Sequence, residues 1–269
     1  MVIASADGGR IGYDDVGRGP ALVFLHAFPL NRAMWAPQTT ALSGAWRCLT
    51  IDTRGFGESA AAPPFSVDRY ADDVVAVLDN GGVDRATIVG LSMGGYIAFA
   101  LWRRSPERVR ALVLAGTRAG ADAPDTRERR HELIALARTQ GAAAVADRQI
   151  VGLLGKTTRS SRSDLETHAR AMAETATVDG IVGALAALLA RPDSTPTLAT
   201  ITVPTLVIVG DEDVITPPKE SRALREQIRD CRLEVLSAAG HLSNLEQPAA
   251  FNTVLRKFLD TLTTREPGA

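Results

Sequence analysis

Six short apolar runs, rich in Val, Ile and Leu and bounded by turn residues, recur along the chain: 21–26 (ALVFLH), 46–52 (WRCLTID), 86–90 (ATIVG), 109–115 (VRALVLA), 204–210 (PTLVIVG) and 231–236 (CRLEVL). Near-continuous runs of this length suit strands covered on both faces, as in a parallel sheet. Helical patterns lie between them. After Ser66, a suitable N-cap, the residues Val67, Tyr70, Ala71, Val74, Val75 and Leu78 share one helical face. Segments 217–228 and 247–262 are of helix length, and Pro217 and Pro218 fit a first turn. Strands alternating with helices predict an α/β fold, a mostly parallel sheet with helices on both faces. Residues 2–16, with a turn at Asp7-Gly8-Gly9, read as an antiparallel hairpin on the sheet edge.

Residues 118–202 break the alternation. They carry helical patterns at 127–140, 142–154, 164–175 and 178–190 and no convincing strand. Lying between two core strands, they read as an inserted helical cap in a core of residues 1–117 and 203–265, with 266–269 a frayed tail. No Phe, Tyr or Trp occurs between Arg103 and Ala250, so an aliphatic pocket wall is expected from the insertion. The mixed-sign run Arg127-Glu128-Arg129-Arg130 reads as a solvated helix face.

Composition excludes several classes. With 45% hydrophobic residues and a net charge of −1, the chain is neither disordered nor equipped with the basic excess of a nucleic-acid binder. Cys48 and Cys231 are too few for a disulfide framework, lack CxxC spacing and read as buried thiols. No signal-peptide pattern opens the sequence, and the long uncharged stretch 86–102 is interrupted by Gly90, Gly94 and Gly95. A cytoplasmic protein without a membrane partner is the expectation.

The strongest local motif is Gly90-Leu91-Ser92-Met93-Gly94-Gly95, between the run 86–90 and a helical pattern over 93–104. GxSxG between strand and helix is the nucleophile elbow. A sharp turn lifts the serine hydroxyl off the sheet, and the glycines remove side chains that would collide. Alone the pattern is weak, because a serine needs a base and an orienting acid. Both follow the last two predicted core strands: the carboxylates Asp211, Glu212 and Asp213, and His241 within Gly240-His241-Leu242. In a parallel sheet these positions gather at the carboxyl ends of the strands, where ligands bind.

The whole chain resembles the α/β-hydrolase superfamily, and within it the esterase, 3-oxoadipate enol-lactonase and perhydrolase group. His26-Ala27-Phe28-Pro29 resembles the HG-x-P oxyanion loop, with Ala27 in place of the usual glycine. Residues 52–59 resemble the D-x-R-G-x-G-x-S turn, 210–217 the acid loop, and Gly240-His241 the base loop. The resemblance implies Ser92 as nucleophile, His241 as base and Asp213, three residues after Gly210, as the acid, with Asp211 the nearest rival. It implies oxyanion donors at the N–H groups of Phe28 and Met93; Pro29 has no N–H to give. His26 is expected to brace the loop and Arg54 to serve as scaffold. Trp35, Asn31, Leu242 and Met172 are further candidates for the pocket.

The implied activity is hydrolysis of small to medium acyl esters or lactones, acyl-homoserine lactones among them, through an acyl-enzyme. No cofactor or metal is expected, since no HExxH, Cys/His cluster or strand-linked GxGxxG is present. A serine nucleophile disfavours the aspartate-dependent dehalogenase and epoxide-hydrolase branches. No cationic cluster near the motifs points to a strongly anionic substrate. Three readings compete: a perhydrolase or haloperoxidase-like enzyme using the same triad, a carbon–carbon bond hydrolase, and a ligand receptor on a hydrolase shell.

Overall fold

The computed structural model describes residues 2–6 and 9–263. The expected turn at Asp7-Gly8 and the expected tail lie outside the described residues. Eight strands form one sheet: β1 (Val2–Ala6), β2 (Gly9–Val16), β3 (Ala21–Leu25), β4 (Arg47–Ile51), β5 (Ala86–Leu91), β6 (Val109–Ala115), β7 (Thr205–Gly210) and β8 (Cys231–Leu236). The helices are α1 (Ala36–Leu42), α2 (Val67–Asn80), α3 (Met93–Arg104), α4 (Pro124–Leu153), α5 (Lys156–Ser161), α6 (Ser163–Glu174), α7 (Val178–Ala190), α8 (Thr195–Leu198), α9 (Pro218–Gln227), α10 (Ser243–Glu246) and α11 (Pro248–Thr263).

The sheet order is β1-β2-β4-β3-β5-β6-β7-β8. β1 pairs antiparallel with β2 and β2 with β4, and every other pairing is parallel. The expected edge hairpin and parallel block are therefore present. β3 lies between β4 and β5, so the winding reverses beside it and opens a crevice at the strands' carboxyl ends.

Strand alternation divides the core between the two faces. Val23, Leu25, Ile88, Leu112 and Leu114 pack on one face with Val74, Leu78 and Ile97 of α2 and α3. Leu22, Phe24, Val89 and Val113 face the other way, toward Trp35, Leu42, Phe251 and Leu255. Ser66 caps α2 as expected, its side chain accepting a hydrogen bond from the Arg69 N–H.

One expectation needs correction. β8 is not covered on both faces. It is the edge strand, with Val235 46% exposed and Cys231 half-buried, whereas Cys48 is fully buried. The patterns at 127–140 and 142–154 are the two halves of α4, which breaks between them at Gly141 with φ 82° and ψ −173°, a backbone that glycine tolerates. The short helices α5 and α8 carry no clear periodic signal and were not anticipated. Between β6 and β7 the chain is helical, from α4 to α8. Among the described residues, no single helix is long and apolar enough to cross a membrane.

Candidate active site

Ser92 sits between β5 and α3 at φ 56° and ψ −108°, one of two described non-glycine residues with positive φ, the other being Ala238. Such a conformation costs a non-glycine residue about 1–3 kcal/mol and persists only where its surroundings hold it. Here the Ser92 N–H donates to the Ala115 carbonyl at 2.9 Å, and the Ser92 carbonyl accepts from the Thr117 hydroxyl at 2.9 Å. The glycines are sterically required. A Cβ on Gly90 would lie 2.3 Å from the Gly94 carbonyl oxygen, and one on Gly94 would lie 2.2 Å from that of Leu25. The elbow is thus pinned against β3 and β6 together.

Of the three carboxylates after β7, Asp213 is the one in contact with His241. Its Oδ2 lies 2.8 Å from His241 Nδ1 and accepts from the Thr216 hydroxyl at 2.8 Å. Its Oδ1 accepts from the N–H groups of Ile215 and Thr216, each at 2.9 Å. Burial would push this carboxyl up, but the charge of His241 and the donated hydrogen bonds outweigh it, and the carboxyl is held below the usual range. An ionised acceptor at Nδ1 fixes the proton there and leaves Nε2 as the basic nitrogen. Asp211 is exposed and meets the Ala239 N–H only at 3.5 Å; Glu212 accepts from the Thr157 N–H at 2.8 Å and its hydroxyl at 2.6 Å.

Ser92, His241, Phe28 and Met93 line one cavity of about 330 Å³. As the first residue of α3, Met93 has no intrahelical acceptor for its N–H. Among the described residues neither its N–H nor that of Phe28 forms a hydrogen bond. Ala27 is not strained, since it is not among the positive-φ residues, and its carbonyl accepts from the Leu30 N–H at 2.8 Å. His26 braces the loop from below: its Nε2 accepts from the Thr53 N–H at 3.0 Å, and its Nδ1 lies 3.0 Å from the Ala27 carbonyl. Burial lowers its pKa, with Asp52 and the Ala27 carbonyl pulling the other way. Arg54 is a buried fork on Asp73, at 2.6 and 2.8 Å.

The four further pocket candidates lie elsewhere. Trp35 is fully buried against Phe24 and Phe251, with ring centroids 5.2 and 6.1 Å away. Asn31 caps the short turn before α1 and reaches the Thr175 hydroxyl at 3.1 Å. Leu242 and Met172 are core residues of the layer that holds Trp35. None of the four lines the cavity. Its wall is also not simply aliphatic. Leu133, Leu153 and Leu188 contribute, but so do Arg118, Arg129, Arg130 and Arg148. The run 127–130 is therefore not a wholly solvated face: Arg127, Glu128 and Arg129 are exposed, but Arg130 is half-buried, and Arg129 and Arg130 border the cavity with Thr126 and Leu133.

Three residues around the site escaped the sequence reading. Gly116, at the end of β6 with φ 47°, lets the Asp213–His241 pair approach the backbone; a Cβ there would lie 3.3 Å from both Asp213 Oδ2 and His241 Nδ1. Thr216 supplies two of the donors to Asp213. Glu246, five residues after His241, is buried and accepts from the N–H groups of Gly240 (2.9 Å) and Gly155 (2.8 Å) and from the Thr158 hydroxyl (2.6 Å). Burial raises its pKa against those hydrogen bonds and the nearby His241. A glycine ending a core strand and a short-range carboxylate were the available signals, and both are common.

A family described as "alpha/beta hydrolase fold" matches residues 20–248. The chain is 32% identical over 249 residues to 3-oxoadipate enol-lactonase 2 of Acinetobacter baylyi, covering 89% of this chain and 90% of that one. Among solved structures it is similar to a thermophilic esterase from Thermogutta terrifontis, with TM-score 0.93, 33% identity, and 97% and 98% of the two chains covered. It is also similar to the enol-lactonase of Burkholderia xenovorans, with TM-score 0.89, 30% identity, and 96% and 100% covered.

Proposed function

The chain belongs to the α/β-hydrolase family, and on that premise we propose that it is a serine carboxylic-ester hydrolase for small to medium acyl esters or lactones, acyl-homoserine lactones included. Ser92 is the nucleophile, His241 the general base and Asp213 the group that orients it. The observation that carries this reading is the strained Ser92 at a strand–helix elbow, sharing a cavity with a histidine whose Nδ1 is bonded to a buried carboxylate.

The chemistry follows from the protonation pattern. With the proton on Nδ1, His241 Nε2 accepts the Ser92 proton as Oγ attacks the ester or lactone carbonyl. Asp213 stabilises the imidazolium without taking its proton. The tetrahedral oxyanion is met by the N–H groups of Phe28 and Met93, each donor contributing about 3–4 kcal/mol. His241 returns the proton to the departing alkoxide, and water then cleaves the acyl-enzyme by the same sequence. Residues 118–202 act as a cap that, with the core, encloses the acyl group.

Hydrolysis of p-nitrophenyl butyrate tests this reading. Wild type should turn it over, and Ser92→Ala should lose about three orders of magnitude or more in kcat/KM. Equal turnover by the two proteins would refute it.

A further inference from the structure

We propose that β8 is a self-complementary docking edge through which two copies of this chain pair antiparallel, about a two-fold axis at Leu233, and join their sheets into one.

β8 ends the sheet and, among the described residues, pairs only with β7. Two bonds fix which of its backbone groups are spent. The Asp230 carbonyl accepts from the Thr205 N–H at 2.8 Å, and the Leu236 carbonyl accepts from the Asp211 N–H at 2.9 Å. Even-numbered residues of the strand therefore address β7, and the N–H and C=O groups of Cys231, Leu233 and Val235 point outward. Proline and bulges are among the devices by which sheets blunt an exposed edge. β8 has neither: its sequence is CRLEVL, and its register with β7 runs unbroken from Cys231 to Leu236. Val235 is exposed beside these open backbone groups.

The charges on the strand choose the partner. Arg232 and Glu234 are both exposed and lie two residues apart on one face; among the described residues neither side chain forms an ion pair or hydrogen bond. An edge that repels other strands carries like charges, whereas this one carries one of each sign. With the axis at Leu233, each Leu233 meets its symmetry mate, Cys231 faces the partner's Val235, and Arg232 faces the partner's Glu234. The two-fold repeats the last two pairs. The residues whose backbone groups point outward then exchange hydrogen bonds. Arg232 and the partner's Glu234 fall at the closer, non-hydrogen-bonded positions, where side chains interact most strongly. Moving the axis by one residue to either side keeps the backbone parity but sets Arg232 against the partner's Arg232, or Glu234 against the partner's Glu234, and like charges directly opposite are destabilising. One register therefore satisfies backbone and charge together, and it is the register of a second copy. The other edge, β1, reads VIASA and carries no charge to set a register.

Sedimentation velocity of the full-length protein over about 1–100 µM tests the pairing, since one strand pair is a small interface and a micromolar dimer is expected. Glu234→Arg and Arg232→Glu each set like charges opposite one another in both symmetric pairs and should raise the dimer dissociation constant about tenfold or more. The double variant Arg232→Glu/Glu234→Arg exchanges the charges, restores complementarity in the same register and should return to within about threefold of wild type. A variant acting only by removing a surface charge would not be rescued in this way. Thermal melts of all the variants should match wild type, because both side chains are exposed and neither lines the cavity that holds Ser92. Wild-type protein that stays monomeric across the concentration range would overturn the proposal. So would a dimer that the single reversals leave intact, or a double variant as weak as either single one.

Discussion

Replacing Asp213 by Asn alters one oxygen and tests the electrostatics of the site. The surroundings of Asp213 dictate how the amide must lie. Two backbone N–H groups, those of Ile215 and Thr216, point at Oδ1 from 2.9 Å, so only the amide oxygen can occupy that position. The NH2 group is then forced into the place of Oδ2, 2.8 Å from His241 Nδ1. There it donates to Nδ1 and drives the ring proton to Nε2, the nitrogen that must accept from Ser92. The Thr216 hydroxyl, which donated to Oδ2 at 2.8 Å, loses its acceptor as well. A wrong tautomer of this kind costs about 10⁴-fold in kcat, or about 5.5 kcal/mol. The assay is p-nitrophenyl butyrate hydrolysis with a thermal melt alongside, and the melt should show a folded protein. Asp211→Asn should stay within about threefold of wild type, because the Asp211 side chain is exposed and only weakly engaged. An Asp213→Asn enzyme that keeps more than about a tenth of wild-type activity would refute the reasoning, as would a larger loss from Asp211→Asn.

Glu246→Gln should lower stability by about 1–3 kcal/mol, because an amide cannot accept at both ends from Gly240, Gly155 and Thr158. Since burial raises the Glu246 pKa, the native state binds this proton more tightly than the unfolded chain; the carboxyl therefore lowers stability as pH rises from the ordinary carboxylate range to its raised value. The Gln variant should lack that slope in melts across pH, and an unchanged slope would contradict the assignment. At Asp122 the sign is opposite. Burial there is outweighed by Arg130 and Arg191, the carboxyl is held at about 2, and about 2 kcal/mol present above pH 4 should disappear as pH falls toward 2. Acid denaturation of Asp122→Asn measures it, and a profile identical to wild type would count against it. Gly94→Ala places a methyl group 2.2 Å from the Leu25 carbonyl oxygen and should cost about 4 kcal/mol or more; a variant melting within a few degrees of wild type would show that the elbow yields.

The sheet was legible because its strands are buried and its turns carry specific chemistry. Val109–Ala115 and Cys231–Leu236 form strands at the bounds read from the apolar runs, and Ser66 caps the helix that its spacing announced. Edge position was not legible. Burial alternates between half-buried and exposed over residues 231–234, yet the order of strands in a sheet is not written in any one strand. The Ser92 backbone and the Asp213–His241 contact were legible for a different reason: a strained turn and a buried ionised acid tolerate few residue types. The cavity wall was illegible because it is assembled from distant stretches. Arg129 and Arg130 sit in a charged run whose composition suits solvent, and only the packing of α4 over Ser92 gives them another role. Trp35 misled by proximity, since a residue seven positions past Phe28 had turned through the loop into the opposite layer.

The most direct measurement is covalent labelling of the native protein by a fluorophosphonate, read by intact mass and peptide mapping. The account predicts one adduct per chain, located on Ser92, absent from Ser92→Ala and strongly slowed in His241→Ala. A folded wild-type protein that remains unmodified, or that carries its adduct on another residue, would contradict it.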